Sequence, residues 1–296
     1  MQRTSVWQYL KLALGSALLA ATAACSPITL LNTLTPEDTF ALTEGIPYGD
    51  DPRQTLDVYT PRPAVTDAPV VVFFYGGSWN SGSRSDYKFV GEALASRGIV
   101  AVVADYRLYP QVRYPAFLQD GARAVAWTHA NIRQFSGDPR KLYLMGHSSG
   151  AYNAAMLALD PTLLAAVGLS PKDLRGWIGL AGPYDFLPIE NPEVKPVFFF
   201  PDSPPESQPI NHISAQAPPA LLMAASKDKL VDPLRNSAGL ARKLREAGVP
   251  VQDLYFSRTR HTTLVATLSR PLRWLGPVLE QVTAFVRDTP VNEHAR

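Results

Sequence analysis

"KLYLMGHSSGAYNAAM", residues 141–156, decides the fold. Its first half is a short apolar run and its second half is rich in alanine. The run reads as a strand covered on both faces, and the alanine-rich part as a helix. Between them stands Gly146-His147-Ser148-Ser149-Gly150, a G-x-S-x-G. Two glycines and a serine at fixed places arise by chance ~0.1 times per chain at ~7% usage each, so the spacing alone is weak. The strand-then-helix context strengthens it. A turn that sharp needs small residues on either side of its centre, and it lifts the central hydroxyl clear of the sheet. Ser148 therefore reads as a nucleophile. The N–H of Ser149, at the helix start, is aimed where negative charge would develop.

Further strands are read at 70–77, 99–108, 177–182, 220–226 and 251–256, most of them continuously apolar runs of the same kind, with "TLDVYTP" at 55–61 ending on a proline. Helical stretches lie between, at about 86–97, 115–135, 149–160, 232–247 and 271–288. Strand–helix alternation predicts a largely parallel sheet with helices on both faces. "LPIENPEVKPVFFFPDSPPESQP" (187–209) interrupts it. Such a Pro-rich segment is either a long surface connection or a cap over a site.

The chain has 296 residues, 46% of them hydrophobic and 18% charged, enough to bury a large core. Its net charge of +2 comes without a basic cluster, which argues against a nucleic-acid partner. Arg3 and Lys11 precede an apolar run from Leu12 to Ala24, too short to span a bilayer but suited to an export signal. The single cysteine, Cys25, follows directly and cannot form an internal disulfide. The expected organisation is an export signal (1–24), a tether (25–45), one domain (46–288) and a polar tail (289–296).

A serine hydroxyl needs a base to take its proton and a third group to orient that base. Of the five histidines, His129 falls within a helix, His147 inside the turn, His212 after the Pro-rich segment and His294 in the tail. His261, in "SRTRHTTL", follows the last strand in a short loop, at the sheet edge that also carries Ser148. "SKDKLVDPLRN" offers two carboxylates at that edge. Asp228 comes just after a strand and can reach toward His261. Asp232 precedes Pro233 and a helical run, a favoured helix start, so it has a sufficient structural role.

"VVFFYGGSWNSGS" (71–83) supplies the remaining part. Two adjacent glycines after an early strand let backbone N–H groups approach a substrate oxygen. "YGGSW" is similar to the HGGGW-type oxyanion loop of α/β-hydrolase esterases, with Tyr75 in place of the histidine and Ser78 in place of the third glycine. The order Ser148…Asp228…His261 is the α/β-hydrolase order. "DYRLYPQVRYPAFLQD" (105–120) looks like a segment of carboxylesterases and feruloyl-esterase-like hydrolases, and "GLAGPYDF" (179–186) like their stretch before the cap. This resemblance covers about residues 46–286. It implies an α/β-hydrolase fold, a Ser148–Asp228–His261 triad, and oxyanion donors from the N–H groups of Gly77, Ser78 and Ser149. It also implies that Asp105, Arg107 and Asp120 brace loops. "LLAATAAC" (18–25) resembles a bacterial lipoprotein signal that leaves Cys25 lipidated, with soluble export as the alternative.

The expectation is an exported serine hydrolase of small-molecule carboxylic esters, held at the bacterial cell envelope by lipid on Cys25. No metal or organic cofactor is expected, since there is no His/Cys ligand cluster and no phosphate-binding glycine loop after the first strand. The rivals are an amidase, arylformamidase or peptidase on the same machinery, and a catalytically silent envelope binding protein of this fold. Oligomeric state is not legible in the residues.

Overall fold

The computed structural model describes residues 27–289. Cys25, the expected export signal and the tail from 290 onward lie outside them. Eight strands form one sheet: β1 Phe40–Pro47, β2 Thr55–Pro61, β3 Ala68–Phe74, β4 Val100–Ala104, β5 Gly137–His147, β6 Leu174–Leu180, β7 Ala220–Ala225 and β8 Val251–Phe256. Their order is β1-β2-β4-β3-β5-β6-β7-β8. β2 pairs antiparallel with β1 and β4, and every other pair is parallel. β4, β6 and β7 are buried at every residue, as their continuous apolar runs require when helices cover both faces. The chain leaves β3 for β4 on one side and returns to pair β5 on the other. That reversal opens a crevice beyond the carboxyl ends of β3 and β5, where open parallel sheets place their ligands.

Two expectations need correction. Residues 40–45, read as the end of the tether, belong to the outer strand of the sheet, Phe40–Pro47. The segment before it is folded too: Pro27–Thr33 is a helix whose Asn32 Nδ2 donates to the Ser85 carbonyl at 2.7 Å. Residues 27–33 and 40–45 are therefore part of the folded unit rather than a tether. Likewise His261 does not sit in a loop but is the first residue of a six-residue helix, His261–Ala266.

The Pro-rich segment joins β6 to β7 through three short 3-10 turns, at Lys195–Phe198, Pro205–Ser207 and Pro209–Asn211. Val197 and Phe198 are buried in it, and Phe198 packs on Trp79, Phe117 and Tyr152 with ring centroids 4.9–6.0 Å apart. It is packed as a wall rather than draped as a connection.

Candidate active site

The turn after β5 is fixed by close packing. An added Cβ at Gly146 would lie 2.1 Å from the Gly150 carbonyl oxygen, and one at Gly150 would lie 2.0 Å from the Phe74 carbonyl oxygen. Neither position admits a side chain. Ser148 at the centre has φ +54° and ψ −123°, a conformation that L-residues avoid. Its N–H donates to the Leu180 carbonyl at 2.9 Å, which ties the strained residue to the end of β6.

Ser148, His261 and Asp228 come from the ends of β5, β8 and β7, and the structure brings them together. Ser148 Oγ is 2.8 Å from His261 Nε2, and His261 Nδ1 is 2.8 Å from Asp228 Oδ2. Asp228 Oδ1 accepts the N–H groups of Leu230 and Val231 at 2.9 and 3.1 Å. Burial pushes the Asp228 carboxyl up, but the His261 hydrogen bond and charge and the two backbone donors outweigh it and hold the group below its ordinary value. A carboxylate only accepts, so Nδ1–H donates to it, and Nε2 is left with a lone pair toward the Ser148 hydroxyl. Asp232 stands apart: its Oδ1 accepts the Leu234 N–H at 2.9 Å, the helix-start role expected of it.

The glycine loop after β3 lies against this turn. A Cβ at Gly76 would be 2.9 Å from Ser148 Cβ and 3.0 Å from His147 Nδ1, so only glycine lets the loop come so near. Gly77 (φ +136°), Ser78 (φ +52°) and Trp79 (φ +58°) then turn consecutively through positive φ. Among the described residues, no protein acceptor takes the N–H of Gly77 or Ser78. Ser149, the first residue of the helix Ser149–Leu159, has an N–H that helix geometry leaves unpaired. Ser78 and Ser149 line a cleft of about 550 Å³ together with Ser148 and His261, whereas Gly77 does not line it.

Tyr75 does not take part from its side chain. Its ring is buried, stacked between Tyr87 and Tyr106, and its hydroxyl donates to Asp105 Oδ1 at 2.6 Å while accepting from Arg53 at 2.6 Å. Tyr106 donates to the Tyr75 carbonyl at 2.8 Å. Asp105 also accepts from Arg84, and Arg107 grips Asp120 through two nitrogens at 2.8 and 2.9 Å. These charged groups support the loop from behind.

The far wall of the cleft comes from the start of the Pro-rich segment, as one of the two readings of that stretch has it, but its individual residues are not singled out by the sequence. Phe186, Ile189 and Val194 line it, with Trp79 stacked on Phe186 and an Asp185–Arg235 ion pair at 3.0 Å. Asn236, buried in the π-helical turn Leu234–Ala238, pins that wall by accepting the N–H groups of Tyr184 and Asp185. No local pattern signals an asparagine that works across 50 residues of sequence. No group of three or more His, Cys, Asp or Glu among the described residues could hold a metal ion.

The sheet, its crevice and the strained serine turn define an α/β-hydrolase fold. A hyperthermophilic esterase from Pyrobaculum calidifontis has the same fold, with TM-score 0.72 and 23% identity, covering 89% of this chain and 90% of that one. Residues 56–244, more than half of the chain, match the BD-FAE family, and the chain belongs to it. An isoprenylcysteine alpha-carbonyl methylesterase of Arabidopsis thaliana is 30% identical over 249 residues, 77% of this chain and 58% of the relative. A kynurenine formamidase of Danio rerio is 28% identical over 229 residues, 75% of each chain. The chain spans little more than half the length of the methylesterases it matches.

Proposed function

We propose that this protein hydrolyses small-molecule carboxylic esters through an acyl-enzyme on Ser148. The observation that carries the reading is the pair of 2.8 Å contacts from Ser148 Oγ through His261 to Asp228, opening into a cleft. His261 Nε2 takes the Ser148 proton as Oγ attacks the ester carbonyl. Negative charge on the carbonyl oxygen is met by the N–H groups of Ser78 and Ser149, with that of Gly77 at the same turn. His261 returns the proton to the leaving alcohol while Asp228 steadies the imidazolium. Water then cleaves the acyl-enzyme by the same path in reverse roles.

A second reading, amide or formamide hydrolysis on the same groups, is favoured by the formamidase relative. Matched ester and anilide substrates separate the two. A fluorophosphonate probe should label wild type and not Ser148→Ala; absence of labelling on folded wild type would mark a silent binding protein.

Anchoring is proposed separately, on Cys25 following the apolar run 12–24. No helix among the described residues is long and apolar enough to cross a membrane. Labelled palmitate should enter the wild-type protein and not Cys25→Ser. A soluble, unlabelled wild type would refute the anchor.

A further inference from the structure

The proposed chemistry does not use the buried imidazole of the serine turn. His147 stands immediately before Ser148 and is 5% exposed. Its Nε2 lies 2.9 Å from the backbone carbonyl oxygen of His261. A carbonyl only accepts, so Nε2–H donates, and this tautomer leaves Nδ1 as a bare acceptor. Nδ1 is buried with no partner. An unpaired buried acceptor costs stability, and a side chain kept only to fill this space would do better as leucine or methionine. The bond that Nε2 makes is therefore what the histidine supplies.

That bond joins the residue before the nucleophile to the backbone of the base, 114 positions away in sequence. Apart from the bonds of the His261 ring itself to Asp228 and Ser148, the other hydrogen bonds at 259–264 are local: Thr259 to Phe256, Arg260 to Thr263, and Leu264 to Arg260. Asp228 holds one ring atom of His261, which leaves the backbone free to carry the ring away from Ser148. His147 fixes that backbone. It also stays neutral: burial, then the neighbouring His261 charge, push it down to about 3, so it does not add a second cation when His261 takes the serine proton.

We infer that His147 is a positioning residue, donating Nε2–H to the His261 carbonyl and so keeping the general base in register with Ser148. The inference rests on the hydrolase reading above. Glutamine reaches the place of Nε2 with an N–H donor, whereas asparagine is one methylene too short, so the two amides separate the hydrogen bond from mere polarity. The experiment measures kcat and KM of His147→Gln, His147→Asn and His147→Leu on one ester. Each is normalised to fluorophosphonate-titratable sites, so that unfolded protein is not counted. His147→Asn and His147→Leu should lose about tenfold or more in kcat with KM within about threefold, and His147→Gln should recover to within about fivefold of wild type. The far-downfield proton resonance of the His261 Nδ1–H should persist in the glutamine variant and broaden in the other two. If glutamine is no faster than asparagine, or if leucine matches wild type, the inference is wrong. Ser148→Ala measured alongside keeps the two ideas apart: full turnover there overturns the hydrolase reading itself.

Discussion

Exchanging each neighbouring carboxylate for its amide, Asp228→Asn and Asp232→Asn, tests which of them serves His261. At position 228 the amide must satisfy two demands at once. Leu230 and Val231 both donate to Oδ1, so the asparagine oxygen belongs there. Its NH2 then faces His261 Nδ1, where the carboxylate oxygen accepted at 2.8 Å. Nδ1 must become the acceptor, which moves the ring proton to Nε2, 2.8 Å from Ser148 Oγ. That tautomer cannot take the serine proton. Turning the amide round sets its NH2 against two backbone donors, so no orientation rescues the site. The expected loss in kcat is about 10²–10⁴-fold, equivalent to roughly 3–5 kcal/mol of barrier. Loss of a charged hydrogen-bond acceptor should also lower the thermal midpoint, by the equivalent of about 1–3 kcal/mol. The sign with pH follows from the carboxyl being held below its ordinary value. Its contribution is present above the unfolded value, ~4, and is lost as pH falls through the lower folded value, so the gap between wild type and Asp228→Asn should narrow in acid. Asp232→Asn keeps an oxygen for the Leu234 N–H and should cost well under ~1 kcal/mol, with activity within about tenfold. Ester kinetics and thermal melts on both variants decide. A dead Asp232→Asn beside an active Asp228→Asn would refute the assignment.

Gly150→Ala drives a methyl to 2.0 Å from the Phe74 carbonyl oxygen in buried backbone, so it should lose ~3 kcal/mol or more in urea unfolding. Gly168→Ala, at φ +78° with nothing within 4 Å, should lose only ~1 kcal/mol, and equal losses would show that contact is not the cause. His147, held down to about 3 mainly by burial, binds no proton in the folded state between that value and the unfolded ~6.5. The unfolded chain does bind one, so wild type should lose on the order of 4 kcal/mol on acidification across that window while His147→Gln should not. Melting curves that fall in parallel for both proteins would contradict this. Tyr75→Phe removes the acceptor for Arg53 and a donor to Asp105 and should cost about 1–3 kcal/mol. An unchanged melt would mean the phenol does not brace the loop.

How far the residues alone could be read depended on where each element sits. The central strands are legible because burial on both faces writes an unbroken apolar run, as in β4 and β7. β1 is not, since it lies at the sheet edge, is half exposed with only Phe40 buried, and slips register between Thr43 and Ile46 around Gly45 at φ +67°. The helix at 261–266, "HTTLVA", is rich in β-branched residues and reads as loop. It forms because Arg260 N–H donates to Thr263 and Leu264 is buried, both of which are facts of context. Ser148, Asp228 and His261 were accessible because each follows a strand. His147 and Asn236 were not, because their partners are remote in sequence.

Ser78 was read as a departure from a third glycine, and its backbone sharpens the point. Ser78, Trp79 and Ser148 are non-glycine residues at φ +52°, +58° and +54°, and all three line the cleft. Each such conformation costs of order 1–3 kcal/mol and persists only where neighbours over-determine it. Here the neighbours can be named. The Trp79 carbonyl accepts the Tyr109 N–H at 2.8 Å, its indole N–H donates to buried Asn153 at 3.0 Å, and four aromatic rings enclose it. Ser148 is tied to Leu180 behind it and faces His261 in front. Replacing a glycine by serine in this loop changes a side chain but leaves the N–H where the turn aims it, because packing around Trp79 and the braced Tyr75 set the backbone rather than residue 78 itself. Departures from a side-chain motif are therefore tolerable in this loop to the extent that its working atoms belong to the main chain.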